Sequence, residues 1–478
     1  MSQTAVQSPT ARTGGVDLSL EIIVLLIFGL FMALVGLLLL PIQRGALPHA
    51  PDSTHGLFLV LLSLQAITLG KTPFGDFRRS WLLVALGAGV GVVGMVGCFI
   101  PGLPREPLRL LVGLVLTAGG LTLLLGLLVA RDRARLWLRG PAPLRHLTLA
   151  AGLVYGFSLL AGLVTLFPGL PAQHHTAILL LAFGASFFYL AGSLREVRRR
   201  FPIPIPPSPS PAPASAPGGL DRAEGRSGWS QMRARLGEEA ALSPAPAILF
   251  LLAILLGLLG ILLFPVSRGL LPFSPDGQLG LMLVLMAIQM LALGDTPVGR
   301  FRRSGWLVAV GLGFAGAGIF ACIVPGILTS SLQLLLGVLN LGGGLVLLTG
   351  QLWQRRRERE KDKEGEREGY KATEGEREKD KDKEKEKAPV RQSLAIDPGL
   401  AADPGSPSRV PTLPPPLARL AVTQTLLNLV GIGFGLSMLV PGMLPLPVIA
   451  GILILNGGLL TQLALILRQL DAITTPQA

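Results

Sequence analysis

The sequence predicts an all-α integral membrane protein of about 12 transmembrane helices, arranged as two parallel six-helix repeats, each of three helical hairpins. The chain of 478 residues is 50% apolar and only 15% charged, whereas soluble proteins are about 25% charged. It also contains apolar runs of membrane-spanning length. Ile22–Leu40 is one uninterrupted run, and about 20 such residues cross a bilayer core.

Apolar runs separated by Pro, Gly and charged residues predict the positions of the helices. They are expected at about 22–40, 56–70, 81–100, 107–130, 147–167, 175–194, 246–264, 278–294, 305–324, 330–352, 417–440 and 446–468. These segments divide the chain into a tail (1–21), a first repeat (22–194), a Pro-rich linker (195–245), helices 7–10 (246–352), a charged and Pro-rich insertion (353–416), helices 11–12 (417–468) and a second tail (469–478).

An internal repeat explains why the helices come in two sets. Pro41–Ser80 aligns without gaps on Pro265–Ser304, with 22 of 40 positions identical. Further along, Pro168-Gly169 matches Pro441-Gly442 after the insertion. Because each copy holds an even number of helices, both copies enter the membrane in the same direction. This predicts a pseudo-two-fold axis along the membrane normal.

Basic residues predict the orientation of the chain. They are concentrated in alternate loops: three in 71–80, five in 131–146 and eight in 195–245. Cytoplasmic loops carry this excess of Lys and Arg, so we expect a cell (inner) membrane protein with both termini cytoplasmic. The net charge of +13 therefore indicates membrane lipids as partners rather than nucleic acid.

The insertion leaves two structural alternatives open. Arg355–Lys387 holds 14 Lys+Arg and 13 Asp+Glu in near alternation. Opposite charges three or four residues apart stabilise a solvated helix or coiled coil, whereas Gly365, Gly369 and Gly375 weaken a helix and favour disorder. Disorder is the expectation that composition favours.

The hairpin pattern of this chain resembles the acid-resistance membrane protein HdeD family. Gly94–Leu128 carries the resemblance, with a proline-containing outer turn followed by a glycine-containing returning helix. The resemblance implies a membrane role in envelope stress or acid tolerance. This chain departs from that pattern because it is doubled and carries the charged insertion.

A loop motif on the predicted cytoplasmic side occurs twice, as G-x-T-P-x-G-x-F-R-R-S. A structural turn that anchors the membrane face is one interpretation, and a gating or ligand-binding loop that contacts lipid phosphate is the other. The candidate residues are Gly70, Thr72, Pro73, Gly75, Arg78, Arg79, Gly294, Thr296, Pro297, Gly299, Arg302 and Arg303.

The first outer loop is also duplicated. Arg44 and Asp52 recur as Arg268 and Asp276, and each pair is expected to form an ion pair that closes its loop. An exposed pair contributes about 0–1 kcal/mol. A binding site for a small anion or a partner is the functional alternative.

Polar and small residues inside helices supply the remaining candidates. Gln65 recurs as Gln289, and a buried amide needs a hydrogen-bond partner or a water-lined path. Small residues at helical spacing precede Cys98 and Cys322 and predict close helix packing. If the third and ninth helices meet across the axis, the two cysteines lie within reach of a disulfide.

No catalytic motif is evident, and no metal site or cofactor is expected. The sequence predicts a non-enzymatic scaffold or envelope-stress membrane protein, with a second copy or another membrane subunit as a candidate partner. The alternative is a 6+6 transporter or channel for a small uncharged or weakly polar solute.

Overall fold

The structure is a computed structural model of the chain. The residues that it describes are 19–68, 81–102, 105–129, 141–167, 169, 173–201, 244–292, 305–386 and 415–474. Both copies of the duplicated G-x-T-P-x-G-x-F-R-R-S motif, at 70–80 and 294–304, lie outside the described residues. Most of the Pro-rich linker and the N-terminal tail lie outside them as well.

The described residues fold entirely into helices and turns, so the prediction of an all-α chain is confirmed. The helices are α1 (Leu20–Gln43), α2 (Pro51–Thr68), α3 (Trp81–Phe99), α4 (Arg105–Val129), α5 (Ala142–Leu166), α6 (Gln173–Arg200), α7 (Pro244–Ser267), α8 (Pro275–Ala292), α9 (Gly305–Ile323), α10 (Thr329–Glu386), α11 (Pro415–Leu439) and α12 (Leu446–Thr474). Within the described residues, nine helices are long and apolar enough to cross a membrane. A multi-pass membrane protein is therefore the coarse fold.

Glycines bring the helices together as antiparallel pairs. In α2 and α3, a methyl group at Gly94 would lie 2.5 Å from the carbonyl oxygen of Gly56. In α8 and α9, a methyl group at Gly318 would lie 2.5 Å from the carbonyl oxygen of Gly280. Backbones therefore touch where these helices cross, which is the contact that small residues permit in membrane proteins.

Every major pairing among α1–α6 (the first half) has a counterpart among α7–α12 (the second half). α1 packs on α6 as α7 packs on α12, α2 on α3 as α8 on α9, and α4 on α5 as α10 on α11. The most apolar window of α1 and that of α7 are each 61% buried, whereas those of α4 and α10 are each 22% buried. α1 and α7 are thus central, and α4 and α10 lie at the rim.

Short turns join successive helices at one side of the bundle, here called the turn face. The described residues of these turns are 44–50, 100–102, 167, 169, 268–274, 324–328 and 440–445. Gly45 and Gly269 adopt φ of 72° and 69°, and Gly102 and Gly326 adopt 81° and 84°. These left-handed conformations cost glycine little, and they reverse the chain within a few residues.

The charged insertion begins as helix, so the expectation of disorder is wrong for its first part. α10 continues from its apolar segment through Glu386, well past the predicted end at residue 352. Alternating charges place Glu or Asp three residues from Lys or Arg along the helix, which stabilises it. Near the start of the extension, the Arg357 guanidinium lies 3.6 Å from the centre of the Trp353 ring. The helix continues through Gly365.

Candidate functional site

The two halves meet at the turn face in a small cluster, here called the central contact. It is built from the start of α2, the end of α3 and their counterparts in the second half. Its members are Ala50, Ser53, Cys98, Phe99, Ser274, Gly277, Cys322 and Ile323.

Two backbone hydrogen bonds join the halves there. The Ala50 N–H donates to the Ile323 carbonyl at 3.0 Å, and the Ser274 N–H donates to the Phe99 carbonyl at 3.1 Å. The donors occupy equivalent positions of the sequence repeat, and so do the acceptors. Each bond satisfies a group near a helix end that would otherwise be orphaned. The relative position of the two halves is therefore fixed through main-chain atoms.

Cys98 and Cys322 lie side by side at the centre of this contact. Both residues are 0% exposed, and Gly277 lies between them: a methyl group there would overlap the Cys98 carbonyl oxygen, while the Gly277 carbonyl faces the Cys322 Sγ. The Cys98 Sγ is 3.4 Å from the Ser53 carbonyl oxygen, and the Cys322 Sγ is 3.7 Å from the Gly277 carbonyl oxygen. Both cysteines are free thiols in this structure.

Ser53 and Gly277 are equivalent in the repeat but differ in side chain, and the space available explains why. The Ser53 hydroxyl donates to the Cys98 carbonyl at 3.2 Å. A methyl group added at Gly277 would overlap that same carbonyl oxygen and would lie 3.0 Å from the Ser53 Oγ. One side chain fills the space, so the opposite position must be glycine.

The small residues that precede the cysteines pack mainly within each half rather than across the centre. A methyl group at Gly91 would lie 2.7 Å from the Ser63 Oγ of α2. It would also lie 3.2 Å from Leu251 of α7, which is a contact between the halves. Contacts between the halves run mainly from α1 to α9 and from α3 to α7. The third and ninth helices therefore approach one another through their last turns, at the cysteines.

Neither of the predicted loop-closing ion pairs forms: Asp52 pairs with another arginine, and Asp276 bonds a hydroxyl. Asp52 lies 3.5 Å from Arg105 at the start of α4 and accepts a hydrogen bond from the Gly102 N–H at 3.2 Å. Its counterpart Asp276 accepts from the Thr329 hydroxyl at the start of α10. Neither aspartate pairs with Arg44 or Arg268, because the first turn of each helix points it toward the next hairpin. Each aspartate thus links its own hairpin to the following one.

A cluster of histidine and arginine side chains surrounds Asp52, and the second half has other residues at the equivalent positions. His49, His55, Arg105 and Arg109 lie close enough to influence one another electrostatically. Burial lowers the pKa of His49 below its ordinary value, and the charges of His55 and Arg105 lower that pKa further, while Asp52 opposes them. In the second half, Phe273, Leu279, Thr329 and Gln333 occupy the corresponding positions.

The duplicated amides lie in α2 and α8, and both are half-buried. Gln65 makes an interaction within the structure. The second half holds further polar groups between α10 and α11: the Gln333 amide donates to the Met438 carbonyl at 3.2 Å, and Thr425 bonds Gln351 at 3.2 Å. These are interhelical hydrogen bonds of the kind that polar residues form in membranes.

Sequence reasoning missed the contact between Ser53 and Gly277. These are mismatched positions of the repeat, and their shared space is visible only in the structure. It also missed the position of His49 beside Asp52, which depends on the fold of the first turn.

Chemically, the central contact offers two thiols, backbone carbonyls and the hydroxyls of Ser53 and Ser274. Within the part of the chain that the structure describes, no three His, Cys, Asp or Glu side chains are placed to hold a metal ion. The thiol pair is therefore the reactive feature of this site. Comparison of the chain with family models, curated proteins and solved structures finds no match.

Proposed function

We propose that this protein is a non-enzymatic membrane scaffold with a role in envelope stress. In this account it spans the cell (inner) membrane with 12 helices, as two parallel six-helix repeats of three hairpins each. Both termini are cytoplasmic, and a pseudo-two-fold axis passes through the central contact. The envelope-stress role rests on the resemblance of Gly94–Leu128 to the HdeD family.

The packing of the centre is the observation that carries the scaffold proposal. Cys98, Cys322 and Ile319 are each 0% exposed, and the two halves exchange backbone hydrogen bonds. Leu251 of α7 packs against α3 beside Gly91. Apolar side chains of both halves belong to one continuous hydrophobic core. Close-packed contacts of this kind resist continuous deformation, so they suit a rigid support better than a moving gate.

Transport is the second candidate, and the duplicated amides favour it. Gln65 and Gln289 occupy equivalent places in the last turns of α2 and α8 and remain half-buried. Intramembrane polar groups mark solute pathways in many transporters. An alternating-access transporter rocks one half against the other around such groups, and that motion would have to break the bonds at Ala50 and Ser274.

A cross-link between the halves distinguishes the two functions. Ala50→Cys and Ile323→Cys are introduced together with Cys98→Ala and Cys322→Ala, and this variant is expressed in a deletion strain grown under acid or solute stress. Oxidation then joins the two introduced cysteines. A scaffold is expected to restore growth equally with and without the cross-link. Loss of growth on cross-linking, reversed by a reductant, would contradict the scaffold and support a moving transporter. Normal growth of the deletion strain under both stresses would contradict the envelope-stress role.

A further inference from the structure

We propose that Cys98 and Cys322 form an intramolecular disulfide that covalently joins the two halves of the protein. This inference does not rest on the proposed function, because it follows from the geometry of the central contact alone. The chain contains two cysteines, so no other intramolecular pairing competes with this one.

The placement of the thiols favours the bond. They come from the last turns of α3 and α9, and both cysteines lie against Gly277: Cys98 through its carbonyl oxygen and Cys322 through its Sγ. The residue after each cysteine, Phe99 or Ile323, is held by a hydrogen bond from the opposite half. Both backbones are therefore anchored next to the sulfur atoms, and little conformational freedom is left to lose when the bond forms. Disulfides need such closely fixed partners.

The surroundings favour a neutral product. The Sγ atoms face the carbonyl oxygens of Ser53 and Gly277, and carbonyl oxygens do not stabilise a thiolate. A soft metal ion held by two thiolates, such as monovalent copper, would leave a net negative charge in this buried place, which is costly. A disulfide is uncharged and gives up only two weak S–H donors.

The chemistry is a two-electron oxidation. The two S–H bonds break, one S–S bond forms, and two electrons and two protons pass to the oxidant. Both thiols are buried beneath the turn face, so an oxidant of the membrane-soluble quinone class suits the site, and it leaves as the hydroquinone. Because the sulfur atoms are fully buried, the reaction requires a transient opening of the central contact. A dithiol reductant reverses the step and restores both thiols.

The disulfide acts as a redox-controlled cross-link of the bundle. In the reduced state, the halves are joined by hydrogen bonds and apolar packing. In the oxidised state, they are also joined covalently across more than 200 residues of chain. Closing so long a loop restricts the unfolded state strongly, so the oxidised protein is expected to unfold at a higher denaturant concentration.

Mass spectrometry of the full-length protein tests this proposal. Native membranes are treated with a short-chain benzoquinone or with dithiothreitol, and free thiols are then blocked with N-ethylmaleimide during denaturation. A linked peptide pair containing Cys98 and Cys322 is expected after quinone treatment and is lost after dithiothreitol. Two fully alkylated cysteines after quinone treatment would overturn the proposal.

A matched variant shows whether geometry controls the pairing. Moving the second thiol by one residue, with Ala321→Cys in a Cys322→Ala background, keeps it buried in α9 but turns it away from Cys98. This variant is expected to form at least tenfold less cross-link than the natural pair. If the displaced and the natural pair cross-link equally, in protein that elutes as a single folded species, then the thiols react only after unfolding. That result would overturn the proposal.

Discussion

The two halves share their backbone contacts but differ in the side chains around the central contact. Gly56 and Gly94 touch in the first half, as Gly280 and Gly318 do in the second. Around this shared frame, the first half places His49 where the second half has Phe273. The comparison shows that close backbone packing requires small residues in both copies. The side chains of the turn face, in contrast, can differ between the copies.

The two halves also differ in the length of one helix and in their polar residues. α4 ends at Val129, whereas its counterpart α10 continues to Glu386. Tyr155 of α5 corresponds to Asn428 of α11, so the outer hairpin of the second half is the more polar one. The halves are therefore alike at the centre of the bundle and specialised at its periphery.

The largest effect is expected where the two halves share one space. Gly277→Ser places an atom against the Cys98 carbonyl and is expected to lower the free energy of unfolding by about 2–3 kcal/mol. The reciprocal change Ser53→Gly removes a hydrogen bond and is expected to cost about 1 kcal/mol. Unfolding in mixed detergent micelles measures both. Gly89→Ser, at a glycine with open space around it, is the control. Equal losses of unfolding free energy for Ser53→Gly and Gly277→Ser would contradict the explanation that the two positions share one space.

The next effect tests the equivalence of the halves. Gly94→Ala and Gly318→Ala each force apart a backbone contact and are expected to lose about 2 kcal/mol, with closely similar values. Gly89→Ala and Gly313→Ala lie at equivalent open positions and are expected to be neutral or slightly stabilising. Losses at 94 and 318 that differ by more than their experimental error would argue against equivalent packing.

A smaller effect is expected at the aspartates that connect neighbouring hairpins. Asp52→Asn weakens the bond to the Gly102 N–H and the contact with Arg105, at a cost of about 1 kcal/mol. Arg105→Gln is expected to change stability by less than about 0.5 kcal/mol, because the Arg105 side chain is 71% exposed and exposed ion pairs contribute little. The same unfolding assay compares the two variants, and a larger loss for Arg105→Gln would show that the ion pair dominates.

The smallest effect concerns pH and the first half alone. The pKa of His49 is lowered in the folded protein, so the unfolded chain binds protons more readily as the pH falls below about 6.5. Stability is therefore lost on acidification through that range and levels off below the folded pKa. His49→Phe, which copies the second half, is expected to flatten this dependence, whereas the exposed His175→Phe leaves it unchanged. An unaltered pH profile for His49→Phe would exclude this histidine as its source.

Sequence and structure agree most where local patterns decide the outcome. Apolar runs located the helices, and proline and glycine located the turns, because both signals act over a few neighbouring residues. The repeat also identified Cys98 and Cys322 as positions worth testing. Those predictions needed no knowledge of which helix packs on which.

The predictions that differed do so for two reasons. Asp52 pairs with Arg105 rather than Arg44, because the packing of α4 beside α2 decides which arginine is within reach, and a window of neighbouring residues does not show that packing. The helix through Glu386 differs for a local reason, because charge pairs and glycines act in opposite directions within the same turns.

Water accessibility at the duplicated amides tests the close-packed centre most directly. Cysteines replace Gln65 and Gln289 one at a time, with Cys98→Ala and Cys322→Ala present, and membranes are exposed to an impermeant thiol reagent from the turn face. Because both positions lie in the last helical turn away from that face, no labelling is expected at either one in the time that fully labels Arg44→Cys. Rapid labelling of both amide positions would contradict a close-packed scaffold and reveal a water-filled path between the halves.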